Sequence, residues 1–361
     1  MPVYRKAQET GGFNAVIVAA GAAAGILALH SVSHINGSLI TTDSRDSQSA
    51  ADLAIWAESL LDREQPDLIL TGLSGPEAGM DEALLVVATV PTFAIQDFWG
   101  DVNATLGRPA GTYFVGDEFA RRMTIERGAA RAIVTGQPEY ELSVPVNPEA
   151  CARKIRRHLT LDATEPLVAF MGQPLWDFSG YAETVEMFIA ACTEIATIRR
   201  IVYRPHPKET EDAFGTVTHF AERHGIRLDL DRGDSPTELT AAADILTTAF
   251  SMSGQDKIMT NLMADVPRGA VIFMMHPELR QVFQGLTGLE QHPLVDMRLA
   301  AFADSGPSCR QQLEALLQTE PCLELRRKAE ATLAQPKNAS EKILNHMHNH
   351  LVSNPALEFS S

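Results

Sequence analysis

Short runs of β-branched and apolar residues alternate with longer amphipathic stretches through nearly the whole chain, and this alternation fixes the fold class before any single residue is considered. Strands separated by helical segments build βαβ units, with parallel strands in the middle and helices on both faces. In the first half the strand candidates are Ala15–Val18, Ser38–Thr41, Asp67–Thr71, Thr92–Ile95, Thr112–Val115 and Ala132–Val134, which together predict one open, doubly wound sheet. A second set follows at Leu167–Met171, Arg200–Tyr203, Ile226–Leu228, Ile245–Thr247 and Ala270–Phe273, separated by helical segments such as Tyr181–Ala196 and Glu209–His224. Between Gly136 and Glu165 the pattern changes to Pro138, Pro145, Pro148 and a helix with Arg153, Lys154, Arg156 and Arg157, which reads as a connector. After Pro307 the chain is mostly helical. The expectation is an α/β chain of two facing Rossmann-like, doubly wound domains, residues 1–145 and 146–337, with a cleft between them. A last amphipathic helix, Asn338–Val352, is expected to pack back on the first domain.

Composition narrows the partners. With 361 residues, 45% of them hydrophobic, the chain can bury two cores of about 150 residues each. Thirty Lys and Arg against 46 Asp and Glu give a formal charge of -16, the wrong sign for a broad duplex-binding surface. No nucleic-acid partner is expected, and an anionic ligand must meet a local basic site. The four cysteines, Cys151, Cys192, Cys309 and Cys322, form no C-x-x-C pair and read as reduced structural thiols of a cytoplasmic protein. The apolar stretch Ala15 to Leu29 is only 15 residues long and opens on Val16-Ile17-Val18 rather than on basic residues. It reads as a core strand entering a helix, so neither a signal peptide nor a membrane span is expected.

Domains of this kind bind ligands outside the carboxyl ends of their strands, which confines the search for chemistry. The strongest signal is Ile201-Val202-Tyr203-Arg204-Pro205-His206-Pro207-Lys208, an apolar strand stopped by two prolines that bracket a histidine. The imidazole of His206 can hydrogen-bond a phosphate oxygen or leaving group, and Arg204 and Lys208 add local positive charge. In Ile245-Leu246-Thr247-Thr248-Ala249-Phe250-Ser251-Met252-Ser253-Gly254-Gln255-Asp256 a strand runs through a Ser/Gly turn into a helix. Backbone N–H groups and hydroxyls there can hold phosphate, with Asp256 accepting from ribose; equally, Ser253 can be an N-cap and Asp256 a first-turn acid.

Other strand ends carry weaker signals. Leu70-Thr71-Gly72-Leu73-Ser74 is a strand followed by a Gly/Ser turn, and Gly172-Gln173-Pro174 follows the first strand of the second half. Phe93-Ala94-Ile95-Gln96-Asp97-Phe98-Trp99-Gly100-Asp101 ends in two acids. Asp97 or Asp101 can deprotonate an acceptor hydroxyl while Trp99 stacks on a sugar or base; the alternatives are loop bracing and packing. Asp117 reads as a helix N-cap, and His276 and Glu278 stand where a donor's sugar or an acceptor could be touched. His346, His348 and His350 read as solvated rather than metal-bound, and no metal site is expected. Neither a P-loop nor a well-placed G-x-G-x-x-G is present.

Taken together, these residues resemble the GT-B superfamily, in the branch of UDP-N-acetylglucosamine 2-epimerase-like proteins, CDP-glycerol glycerophosphotransferases and polysaccharide-building transferases. The likeness is carried by Arg204-Pro205-His206-Pro207, by the strand–turn–helix from Thr247 to Asp256, by Gln96-Asp97-Phe98-Trp99, and by Val134-Thr135-Gly136-Gln137-Pro138 before the connector. It implies a nucleotide diphosphate on the second domain. His206 would contact donor phosphate, Ser251, Ser253 and Gly254 would hold phosphate oxygens, and Asp256 would hold ribose. The chain departs from the epimerases in having Gly72-Leu73-Ser74 and Arg108-Pro109-Ala110 where they carry acidic residues, and Ser251-Met252-Ser253-Gly254 in place of their Ser-Gly-Gly turn.

The resulting expectation is an enzyme: a nucleotide-sugar-dependent glycosyltransferase or related transferase of polysaccharide biosynthesis. Its catalytic residues would be Asp97, Asp101 and His206. Arg204, Lys208, Gly172, Gln173, Thr248, Ser251, Ser253, Gly254 and Asp256 would bind nucleotide, and Gly72, Ser74, Gln96, Trp99, His276 and Glu278 would bind sugar or acceptor. No cofactor is expected beyond a UDP-, CDP- or CMP-linked donor as substrate. Association into homodimers is compatible with such folds. The alternatives are a UDP-sugar 2-epimerase or hydrolase, and a non-catalytic nucleotide-sugar or glycan binding protein.

Overall fold

The computed structural model describes residues 1–37, 47–73, 79–141, 146–162, 164–233, 235–334 and 337–353. Strand candidate Ser38–Thr41, connector residues Pro145 and Ala163, and site candidate Ser74 lie outside the described residues. Packing divides the chain into two units, Met1–Ser143 with Leu333–Ser361, and Val144–Thr332.

The first unit runs α1 (Pro2–Thr10), β1 (Val18–Ala19), α2 (Gly21–Leu29), β2 (Ile35–Asn36), α3 (Ser47–Glu64), β3 (Ile69–Thr71), α4 (Met80–Val87), β4 (Thr92–Ile95), β5 (Thr112–Val115), α5 (Glu118–Glu126) and β6 (Ala132–Val134). Its strands are parallel but fall into two sheets, β1-β2 and β3-β4-β5-β6, where the sequence suggests a single one. The helix that follows β1, α2, is rich in Gly and Ala and buries only Leu27. The stretch expected as a core strand entering a helix is the two-residue β1 followed by a helix at the surface, where Leu29 is 85% exposed. A cavity of about 710 Å³ lies here, lined by Val18, Ala20, Leu70, Gly72, Met80 and Leu84 among others.

The second unit contains α6 (Pro148–Leu159), β7 (Val168–Met171), α7 (Tyr181–Thr193), β8 (Arg200–Arg204), α8 (Glu211–His224), β9 (Arg227–Leu230), α9 (Thr237–Ala242) and β10 (Ile245–Thr248). It continues with α10 (Ser253–Met263), β11 (Ala270–Met274), α11 (Pro277–Thr287), α12 (Pro293–Asp296), β12 (Ala301–Ala303), α13 (Gly306–Leu316) and α14 (Thr319–Thr332). The sheet is parallel in the order β12-β11-β10-β7-β8-β9. Counted from the first strand this is the 3-2-1-4-5-6 order of nucleotide-binding folds, and it reverses between β7 and β10. Both faces are covered, so the central strands are apolar on both sides. Ala169, Met171, Val202 and Leu246 pack with Ala152 of α6 and with Leu239 and Ala242 of α9. Phe170, on the other face, meets Phe188 of α7 with ring centroids 5.2 Å apart.

The last helix, α15 (Ala339–Ser353), returns to the first unit, where Ile343 and Met347 join Phe93 and Phe114 in one core together with Val3 of α1. The backbone N–H of Ser340 donates to Glu141 at 3.1 Å, which fixes the start of the helix. His346 and His350 are half-buried against Phe114 and Phe93 and so pack on this core, whereas His348 stays exposed, with its ring edge-on to Phe13.

Candidate functional site

The sheet of the second unit reverses direction at β7 and β10, and the turns leaving these two strands are tied by one side chain. Gln173 Oε1 accepts from the backbone N–H of Phe250 at 2.9 Å and from Thr248 Oγ1 at 3.3 Å. Thr248 also donates to the Met171 carbonyl. Thr248 is fully buried, so it serves as a brace between strands rather than as a nucleotide contact.

Beyond Thr248 the chain turns through Ser251 into α10. Ser251 Oγ accepts from Ser253 N–H and lies 3.2 Å from Ser253 Oγ, and its carbonyl accepts from Gly254 N–H at 3.0 Å. Met252, the N-cap of α10, brings no side-chain acceptor, so the helix dipole and the serine hydroxyls are presented together at this strand end. Gly254 is buried, and a Cβ there would stand 2.5 Å from the ring of Phe273. This position is therefore small because α10 lies close on β11, and that is why the sequence carries glycine here. Asp256 occupies the first turn of α10, half-buried.

At the end of β8 the basic residues separate into two roles. Arg204 donates from Nη1 to Asp231 at 2.7 Å and from Nη2 to the Gly233 carbonyl at 2.8 Å, so its guanidinium joins β8 to the chain after β9 and is not an open phosphate ligand. Lys208 is exposed, and its backbone N–H donates to His206 Nδ1 at 3.1 Å. A ring nitrogen that accepts carries no hydrogen, so the neutral imidazole of His206 holds its hydrogen on Nε2, ready to donate. Burial, and secondarily the charge of Lys208, lower the pKa of His206 and favour that neutral form.

The same turn occurs three times. His276 Nδ1 accepts from Glu278 N–H at 3.4 Å and His292 Nδ1 from Leu294 N–H at 3.2 Å, with a proline in between each time. Proline has no N–H to offer, so the next N–H is the first orphan donor and the imidazole takes it. His276 is accordingly the N-cap of α11, and Glu278 is an exposed residue of its first turn.

Glu209, which immediately follows the basic motif, was not singled out in the sequence and is the most connected group at this edge. Its carboxylate accepts from Tyr203 Oη at 2.9 Å, Trp176 Nε1 at 3.0 Å and the backbone N–H of His206 at 3.0 Å. Burial pushes its pKa up, and these donors work against that shift. Gln173 N–H donates to Tyr181 Oη at 2.6 Å in the same network. The available signal was an acid one residue beyond Lys208, with tyrosine and tryptophan elsewhere that no spacing connects to it.

In the first unit, Asp97 and Asp101 stand at the carboxyl end of β4. Asp97 is exposed as a residue and Asp101 is half-buried; the protein crowded around each carboxyl partly desolvates it and raises its pKa, and the charge of Asp97 adds to the rise at Asp101. Gln96 is buried, donating from Nε2 to the Asp101 carbonyl and to Thr124 Oγ1, both at 2.8 Å, so it holds the loop. Trp99 is only 4% exposed and its Nε1 donates to Asp117 at 2.9 Å, which makes it a packing residue instead of an open stacking face. Asp117 is also the N-cap of α5, accepting from Ala120 N–H at 2.8 Å. Gly72 is exposed at the end of β3, on the wall of the cavity. Gly172, Gln173, His206, Lys208, Ser251, Ser253 and Asp256 thus gather at the carboxyl edge of one sheet, and Asp97 and Asp101 at that of another. Among the described residues no helix is long and apolar enough to cross a membrane, and no three His, Cys, Asp or Glu side chains are grouped to hold a metal ion.

No family model and no curated protein matches the sequence. Solved structures do match over nearly the whole chain. A UDP co-structure of MnaA from S. aureus is 16% identical with a TM-score of 0.66, covering 97% of this chain and 93% of that one. A UDP-GlcNAc 2-epimerase from Neisseria meningitidis, bound to UDP-GlcNAc, is 12% identical with a TM-score of 0.61, covering 96% and 95%. MurG from Acinetobacter baumannii is 15% identical with a TM-score of 0.59, covering 96% and 94%. The protein therefore has the GT-B fold that these structures share.

Proposed function

We propose that this protein transfers a sugar-like group from a nucleotide-activated donor to a hydroxyl acceptor, with the donor diphosphate on the carboxyl edge of the second unit's sheet. One observation carries the reading: the strand ends on the two sides of the β7/β10 reversal carry His206, whose Nδ1 is occupied by the Lys208 N–H, and Ser251, Ser253 and the start of α10. Neutral and dipolar donors of this kind suit a diphosphate, whose charge they stabilise without a compensating surface of lysines. Proteins of the same fold have been solved with UDP and with UDP-GlcNAc, which makes uridine and cytidine nucleotides the first class to test.

In the proposed reaction Asp97 or Asp101 withdraws the acceptor proton as the hydroxyl oxygen attacks the sugar carbon. The carbon–oxygen bond to phosphate breaks, and His206 and the α10 turn stabilise the charge on the departing phosphate. The upward shift of both carboxyls strengthens them as bases, provided the pH keeps them ionised. A second reading, a UDP-sugar 2-epimerase or hydrolase, is favoured by the presence of UDP-GlcNAc 2-epimerases among the proteins of like fold. It is distinguished by product formed without an acceptor.

The test is a thermal-shift screen of UDP, CDP, CMP, GDP, dTDP and their sugar conjugates, since a ligand bound only by the folded state raises its melting temperature. A rise with one nucleotide that disappears in His206→Ala is the expected result. No shift with any of them at millimolar concentration sinks the proposal. Binding without turnover over a broad acceptor panel would leave a nucleotide-sugar binding protein in place of an enzyme.

A further inference from the structure

We infer that Glu209 is a positioning residue, which holds His206 in the one backbone and tautomeric state able to donate from Nε2 to an anionic ligand. This rests on the placement of His206 at the donor phosphate, and adds a residue that the sequence motif does not include.

Residues 206 and 209 are fastened to each other twice. The His206 N–H donates to Glu209 Oε2 at 3.0 Å, and the Glu209 N–H donates to the His206 carbonyl at 2.9 Å. Within that loop Lys208 N–H reaches His206 Nδ1 at 3.1 Å, the contact that keeps Nδ1 free of hydrogen. The carboxylate is itself held from behind, because its other oxygen, Oε1, accepts from Tyr203 Oη and Trp176 Nε1. These donors come from β8 and from the turn after β7, so one side chain ties the two strand ends on this side of the reversal.

The chemistry of the site calls for an ionised carboxylate. Every group that faces it through a hydrogen bond is a donor, and Glu⁻ is acceptor-only. The carboxamide of glutamine, similar in shape, can still accept at one atom but presents N–H₂ at the other, against the His206 N–H or against the tyrosine and tryptophan donors. Space is equally committed: a Cβ on Gly172 would lie 2.5 Å from Tyr203 Oη and 2.8 Å from Glu209 Oε1, so the turn after β7 closes directly over the carboxylate. Gly172 also donates from its backbone to the Arg204 carbonyl at 2.8 Å, which sets the turn against the end of β8.

The experiment compares Glu209→Gln with Trp176→Phe in the full-length protein. Trp176→Phe removes one donor from the far side of the same carboxylate and leaves the His206 bond in place. Long-range ¹H–¹⁵N spectra of the imidazole rings, with His206 assigned by its absence in His206→Ala, report the tautomer without any ligand. Isothermal titration with UDP as the probe reports the site. The expected result is a single Nε2–H tautomer at His206 in the wild type and in Trp176→Phe, and a mixture of tautomers in Glu209→Gln. UDP affinity should fall about tenfold in Glu209→Gln, the loss of one charge-assisted hydrogen bond's worth of positioning.

An unchanged His206 tautomer in folded Glu209→Gln overturns the inference. So does an equal loss of the tautomer in Trp176→Phe, because general packing of the turn would then be holding the ring. If Glu209→Gln does not fold, Glu209→Asp takes its place: the shorter side chain withdraws the carboxylate from the His206 N–H, so a mixture of tautomers supports the inference and an unchanged Nε2–H tautomer overturns it. Absence of UDP binding to the wild type counts against the proposed nucleotide ligand, while the ligand-free spectra still decide the role of Glu209.

Discussion

At the scale of single residues, chemical type was readable but occupation was not. Arg204, His206 and Lys208 read alike as positive groups at one strand end; the fold uses the first to bind Asp231, leaves the last in solvent, and holds the imidazole neutral. The partner that decides the role of Arg204 lies beyond β9, and no local spacing reveals it. Gly172 gives a direct test. It was readable as a tight turn, yet its stronger constraint is the approach of Tyr203 and Glu209 to where a Cβ would stand. Gly172→Ala should therefore cost about 1–3 kcal/mol of stability in urea unfolding, as overpacking does. It should also displace the Glu209 network, seen as altered Trp176 fluorescence. A variant as stable as the wild type would show that the turn opens without strain.

At the scale of elements, the His-Pro turn is the recurring device, and it couples structure to pH. His292 caps α12 and lies face to face with Phe273, ring centroids 3.9 Å apart, and burial lowers its pKa to about 3. In the unfolded chain the same imidazole titrates near 6.5. Between these two values the unfolded state binds the extra proton, so stability is complete above about pH 6.5 and declines as the pH falls toward 3. Wild-type protein should lose about 2 kcal/mol more than His292→Asn between pH 7 and pH 5, because asparagine can cap the helix without taking up a proton. Parallel pH dependences of the two proteins, followed by urea unfolding, would remove His292 from the acid response. Strand cores were well legible at this scale: β4, β5 and β6 lie where their apolar runs stand in the sequence. The three-residue β12 and the two-residue β2, at Ile35–Asn36, are not among the strands the sequence predicts, since runs this short carry little pattern.

At the scale of the whole molecule, the chain returns on itself, and α15 completes a core that begins with α1 and β4. Deleting the chain beyond Thr332 should uncover Phe93 and Phe114. Hydrogen exchange should then show lost protection in β4 and β5 with β7, β8 and β10 still protected, since the latter belong to the unit that ends at Thr332. Equal loss in both sheets would mean that the two units unfold as one. The sequence by itself determined the α/β class, the parallel strands of both units, the closing amphipathic helix and the strand ends at which polar groups gather, because hydrophobic periodicity and turn chemistry are local properties. Only the tertiary structure decided that β1 and β2 stand apart from the first sheet, that the second sheet reverses between β7 and β10, that Trp99 and Thr248 are buried braces, and that Glu209 gathers donors from two strand ends. Each of these depends on which distant residue comes to lie alongside, and that is set by the packing of helices on sheets.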